Sequence, residues 1–182
     1  MSNLQQDTFG LSDAQVAMFM NEAFAEAEKA EALGEVPIGA VIVQDGKVIG
    51  RGHNLRETQQ DATLHAEFIA MREANAAAGS WRLPNAQLFV TLEPCIMCAG
   101  LIQQTRITDV YFGAIDPKAG GVCSMYHLLD DERLNHQVTV HAGVEEERAS
   151  QQLKTFFKAL RARKKLEKQA RKDADKESES ML

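Results

Sequence analysis

The chain has 182 residues, of which 45% are hydrophobic and 25% charged, with a formal net charge of −6. That length suits one domain, and that composition is ample for one globular core. No apolar run is long enough to span a bilayer as a helix, so a membrane protein of that kind is excluded.

Taken in order, Met1 to Gly10 is polar and lacks a basic segment followed by an apolar one, so no secretory signal is expected there. Ser12-x-x-Gln15 reads as a capping box. Val16, Met20, Ala23, Phe24 and Ala27 follow at helical spacing, and Gly34 ends that helix. Ile38 to Gln44 is an apolar run that reads as a buried strand. Asp45-Gly46 is a hairpin signal, and Lys47 to Gly52 is the returning strand. Gly52-His53-Asn54 leads into a polar loop through Ala62. Asn54 is there either a turn residue or an amide lining a pocket.

A helix is expected from His65 to about Ala78, with Gly79 as its stop and Ala66, Ile69 and Ala70 on its inward face. Gln87 to Leu92 reads as a third strand, and Pro94 suits a helix entry. Ile107 to Phe112 reads as a fourth strand, Gly113 to Val122 as a glycine-rich loop, and Ser124 to Leu129 as a short helix. Gln137 to His141 reads as a fifth strand. A long helix from Glu145 to about Lys172 carries Phe156 and Phe157, expected as core contacts. The sum is one domain over 1–172 with a three-layer α/β/α arrangement around a mixed sheet of about five strands. Residues 173–182 read as a polar, disordered tail.

Within this frame, His65, Cys95 and Cys98 are ligands of the kind Zn²⁺ prefers. Cys95 and Cys98, three apart, share one face of a helical turn. Three protein ligands leave a fourth position for water, which is the count of a catalytic zinc. Glu67 stands two residues after His65, close to the metal without having to bind it, where an acid/base can exchange a proton with water. Either half of this pattern alone has plainer readings: H-x-E arises by chance, and C-x-x-C can be a redox pair or half of a structural zinc site. Cys123 is the one other cysteine and lies in a glycine-rich loop. It is expected to be a small buried or half-buried residue outside the ligand set, not a nucleophile. Three cysteines with two on a metal leave no disulfide framework, which suits a reducing cytoplasm.

Charge is unevenly spread. Lys154 to Lys172 carries +8, residues 173–182 carry −3, and the body before them carries −11. An acidic body with one basic helix is a directed electrostatic footprint, and a nucleic acid is the partner it suits.

Taken jointly, H-x-E…P-C-x-x-C is the pattern of the zinc nucleobase deaminases. The chain resembles the bacterial tRNA-specific adenosine deaminases of the cytidine-deaminase-like superfamily. The resemblance runs from about Phe19 to Lys164 and includes Glu35-Val-Pro-Ile-Gly-Ala-Val41, Gly50-x-Gly-x-Asn54, His65-Ala-Glu67, Trp81-Arg-Leu83, Thr91-Leu-Glu-Pro-Cys-Ile-Met-Cys-Ala-Gly100, Gly113-Ala-x-Asp116, Leu134-Asn-His136 and Phe156-Phe157. It implies one Zn²⁺ per subunit on His65, Cys95 and Cys98, and proton transfer by Glu67. It further implies purine contacts from Asn54 and the Ala66 backbone, and Asp116 near the RNA. The implied substrate is the wobble adenosine of tRNA-Arg, converted to inosine by a cytoplasmic homodimer in which each site is finished by the neighbour. The chain departs from the family's commoner pattern around Val122-Cys123, at His127 and in its longer charged tail.

Overall fold

The central strands are apolar at nearly every position, not at every second one, and such strands need cover on both faces. The computed structural model describes residues 10–180, and for 172–180 the backbone only. The expectation for the opening segment therefore lies, save Gly10, outside the described residues. Five strands form one sheet in the order β2-β1-β3-β4-β5: β1 (Gly39–Gln44), β2 (Lys47–His53), β3 (Ala86–Leu92), β4 (Asp109–Ala114) and β5 (Thr139–Ala142). β1 pairs antiparallel with β2 and β3, while β3–β4 and β4–β5 are parallel. The expected mixed sheet is present.

The helices are α1 (Asp13–Ala32), α2 (Arg56–Gln59), α3 (Ala66–Ala78), α4 (Ile96–Thr105) and α5 (Glu146–Ser180). Side chains alternate across the sheet. Val41, Val43, Phe89 and Tyr111 pack with Phe19, Met20 and Phe24 of α1 and Ala149 of α5. Ala40, Ile42, Leu88, Val90, Val110 and Phe112 pack on the other side with Met71 and Ala74 of α3 and Ala99 and Ile102 of α4. These two cores make the three layers.

Local signals set the ends. Ser12 Oγ accepts from the Gln15 amide while Gln15 Oε1 accepts from the Ser12 amide at 3.0 Å, completing the capping box. Asp45 (φ 52°) and Gly46 (φ 71°) form the hairpin turn. Gly79 (φ 60°) closes α3. Glycines on β2 bring α3 close: a Cβ at Gly52 would lie 2.2 Å from the Ala66 carbonyl oxygen, and one at Gly50 2.2 Å from that of Ala70. A larger residue would push away the helix end that carries the site.

Several expectations need correcting. The polar loop after Asn54 contains the one-turn helix α2. His65 is the N-cap of α3 and Cys95 that of α4, so Pro94 precedes the cap and is not the first helical residue. Strand β4 runs to Ala114 and takes up Gly113. Ser124 to Leu129 is turn and irregular backbone: the Ser124 amide bonds to the distant Glu93 carboxylate and the Leu128 amide to the Gly121 carbonyl, not along a helix. Ile69 is half-buried, and Glu67, Met71 and Ala74 complete the buried face of α3. Helix α5 continues to Ser180, past the boundary placed at Lys172. That stretch holds Ala174, Lys176, Glu177 and Glu179, all good helix formers.

Candidate active site

The site lies at the C-terminal ends of the parallel strands, where helix N-termini converge, the usual place for ligands on open α/β sheets. His65 caps α3 and Cys95 caps α4, yet neither side chain makes a capping bond to its helix. Both turn to each other instead. Cys95 Sγ is 3.6 Å and Cys98 Sγ 3.7 Å from His65 Nδ1. The three ligand atoms lie within 4.8 Å of one another. Tetrahedral Zn²⁺ with Zn–S near 2.3 Å and Zn–N near 2.05 Å sets S···N at about 3.6 Å. The donor set and its spacing fit zinc.

The electrostatics fit a cation too. The Cys98 thiol and then His65 bond to Cys95 and hold its thiol down at about 4, a thiolate at neutral pH. The bond to Cys95, with burial, pushes the Cys98 thiol up. His65 is raised by its bond to Cys95. A metal would replace these shared protons. Cys123 is half-buried and outside the cluster, as expected.

A cleft of about 490 Å³ opens onto the cluster and is lined by all of Asn54, His65, Ala66, Glu67, Cys95 and Asp116. Six of the seven residues singled out in the sequence therefore meet in one cavity, and the seventh, Cys98, is buried behind it in the cluster. Glu67 is 4% exposed, and burial raises its carboxyl to about 7. Asn54 is buried, and its Nδ2 donates to Glu35 Oε2 at 3.0 Å. The other Glu35 oxygen accepts from the Thr58 amide. Glu35 thereby fixes which end of the Asn54 amide is turned away from it. Asp116 uses Oδ1 to hold the amides of Lys118 (2.9 Å) and Ala119 (3.3 Å) in its own turn.

The sequence placed none of Glu35, Glu93, Leu153 and Phe157 at the site. Glu35 and Glu93 are 1% and 2% exposed. A single acid beside proline in an apolar run, as in Leu92-Glu93-Pro94, signals a buried carboxylate that must find donors. Leu153 and Phe157 of α5 line the cleft. Phe157 is 38% exposed, so it borders the mouth and is not the core contact expected of it. Its ring meets Phe156 edge-on at 5.5 Å.

The family model for the cytidine and deoxycytidylate deaminase zinc-binding region matches residues 13–114. The tRNA-specific adenosine deaminase of Streptococcus pyogenes serotype M1 is 52% identical over 150 residues, covering 82% of this chain and 88% of its own. That of Bacillus subtilis is 52% identical over 148 residues, covering 81% and 92%. The chain belongs to the tRNA-specific adenosine deaminases. A solved structure from work on A-to-I editing by tRNA:A34 deaminases at the wobble position of transfer RNA is 44% identical. It covers 75% of this chain and 99% of its own, with a TM-score of 0.72. Guanine deaminase from Nitrosomonas europaea, 19% identical over 77% of this chain and 83% of its own, shares the fold with a TM-score of 0.68. In this tRNA-specific adenosine deaminase family member, the His-Cys-Cys cluster is positioned to bind zinc and the chain is a zinc-dependent deaminase. Among the described residues no helix is long and apolar enough to cross a membrane.

Proposed function

We propose that this chain converts adenosine to inosine by hydrolysis at the wobble position of a tRNA anticodon, tRNA-Arg being the expected substrate. One observation carries the reading: a buried, non-ligating carboxylate, Glu67, stands beside three zinc ligands in a cleft bordered by the first half of a basic helix. The relatives at about half identity act on tRNA by name, and the basic helix suits an RNA partner.

When bound, Zn²⁺ supplies a Lewis acid that brings the pKa of water to about 7. Glu67 takes the proton of the attacking water and delivers it to purine N1 as oxygen adds at C6. It then takes the proton of the new C6 hydroxyl and passes it to the exocyclic amine, the C6–N bond breaks as the C6 carbonyl forms, ammonia leaves and inosine remains. Asn54, held by Glu35, and the backbone of Ala66 orient the purine. The target base must leave its stack to enter the cleft, which a single-stranded anticodon loop makes easy. Arg56, Asp116 and Lys118 line the mouth and meet the flanking nucleotides, the two cations facing phosphates. Leu153 and Phe157 join α5 to that mouth, so the exposed cations from Arg161 to Arg171 extend along the bound RNA.

A homodimer in the cytoplasm completes the reading. Exposed Ile96, Met125 and Tyr126 (48%, 50% and 46%) supply apolar surface for a second copy. The deciding experiment incubates purified protein with tRNA, free adenosine, cytidine and guanine, and measures each deaminated product. Inosine formed in tRNA alone is expected. Turnover of a free base or nucleoside with none on tRNA would overturn the reading.

A further inference from the structure

Glu93 lies next to the metal-binding segment, yet its carboxylate is turned toward the loop over 116–124. Oε1 accepts from the amides of Val122 (3.2 Å), Cys123 (2.7 Å) and Ser124 (2.9 Å). Oε2 accepts from the amide of Asp116 at 2.9 Å. Four backbone donors thus converge on one side chain that is 2% exposed. They span both ends of the loop whose residues Asp116, Pro117, Lys118 and Ala119 line the mouth.

The backbone tightens the same junction. The Gly121 amide donates to the Pro94 carbonyl at 2.8 Å, and Cys95 bridges to Gly120. A Cβ at Gly120 would lie 2.4 Å from Glu93 Cδ, and one at Gly121 2.8 Å from the Ile96 nitrogen. The loop can approach Glu93 only because both positions lack side chains. Ser124 Oγ then donates to the Asp116 carbonyl at 2.6 Å, tying the loop ends together.

We infer that Glu93 is a positioning residue that locks the mouth loop 116–124 to the metal-binding segment, so that the loop's RNA contacts are preset relative to the reacting base. This rests on the proposed RNA substrate for its kinetic consequence, but not for the lock itself. A carboxylate is required because all four partners are donors. A glutamine keeps the shape but has one acceptor oxygen. Its NH₂ must face either the Asp116 amide or the group of three, donor against donor. Loop contacts made equally to bound and reacting substrate affect KM and not kcat.

The test uses the full chain with E93Q and, as an independent variant, G120A, which crowds Glu93 without changing charge. Zinc per chain, amide hydrogen exchange of 116–124, and kcat and KM on tRNA are measured together. Losing a buried bond should speed exchange at the loop amides about tenfold in both variants, with zinc unchanged. KM should rise about tenfold while kcat stays within about threefold. Wild-type exchange in the loop of E93Q, or zinc loss from both variants, would overturn the lock. A loosened loop with unchanged KM would overturn its role in substrate positioning. If the wild-type protein leaves tRNA unmodified, the function proposed above has failed, and the exchange data still decide the lock.

Discussion

At the residue scale, the proposed reaction separates groups that would hold the metal from one that would move protons. Glu67 is buried, raised to about 7 and outside the three-atom cluster. E67Q is expected to keep one zinc per chain while inosine formation falls by about 10²–10⁴, the usual worth of a general acid–base. Metal analysis with a tRNA assay checks this, and near-normal turnover would remove Glu67 from the reaction. Cys123 tests the other side of the assignment. Its amide serves Glu93, and it stands outside the ligand cluster. C123S should therefore retain full zinc content. Metal loss from that variant would point to a closed, structural site.

At the scale of elements, two features go beyond the metal chemistry. The first is the clamp of β2 on α1. Glu26 is 2% exposed and accepts from Lys29 Nζ at 2.7 Å, with His53 Nδ1 at 2.9 Å. Burial alone would raise its carboxyl, but the bonds from Lys29 and His53 outweigh burial and hold it below the ordinary 4.5. A depressed carboxylate stabilises the fold in full above its unfolded value. That contribution falls below about pH 4.5 and is gone once the folded value is passed. E26Q should cost about 1–3 kcal/mol at pH 7. The gap between its urea midpoint and that of the wild type should narrow at pH 4. An equal gap at both pH values would mean that packing, not charge, is what the substitution removes. The second feature is α5, whose side chains from Arg161 to Arg171 are exposed. Replacing Arg161, Arg163, Lys164 and Lys165 with glutamine should weaken tRNA binding. It should also flatten log K against log salt by about 0.7–0.9 for each phosphate no longer neutralised. Single-turnover rate at saturating tRNA should stay near wild type, since no reacting atom is touched. An unchanged slope would reduce the cluster to a solvated helix.

For the whole molecule, association is the property next to be measured. Sedimentation of the wild type should give a dimer, and M125D with Y126D should shift it toward monomer by placing charge in an apolar contact. A monomeric wild type would sink the shared-site reading. The sequence by itself determined several features that depend on short spacing. Cys95 and Cys98 had to share a helical turn, Asp45-Gly46 had to reverse the chain, and strands apolar on both faces had to lie between helix layers. His65 could be joined to that turn only through the motif, since 30 residues separate it from Cys95. The tertiary structure decided the partners that meet across the fold. Glu35 reaches Asn54 over 19 positions, and Glu93 reaches the mouth loop over 23 to 31. Hydrogen bonds at such separations depend on strand order and loop path, which residue spacing does not encode. Phe157 departs from expectation for a related reason: its hydrophobicity says that it seeks cover, but only the docking angle of α5 places it at the rim of a cleft instead of in the core.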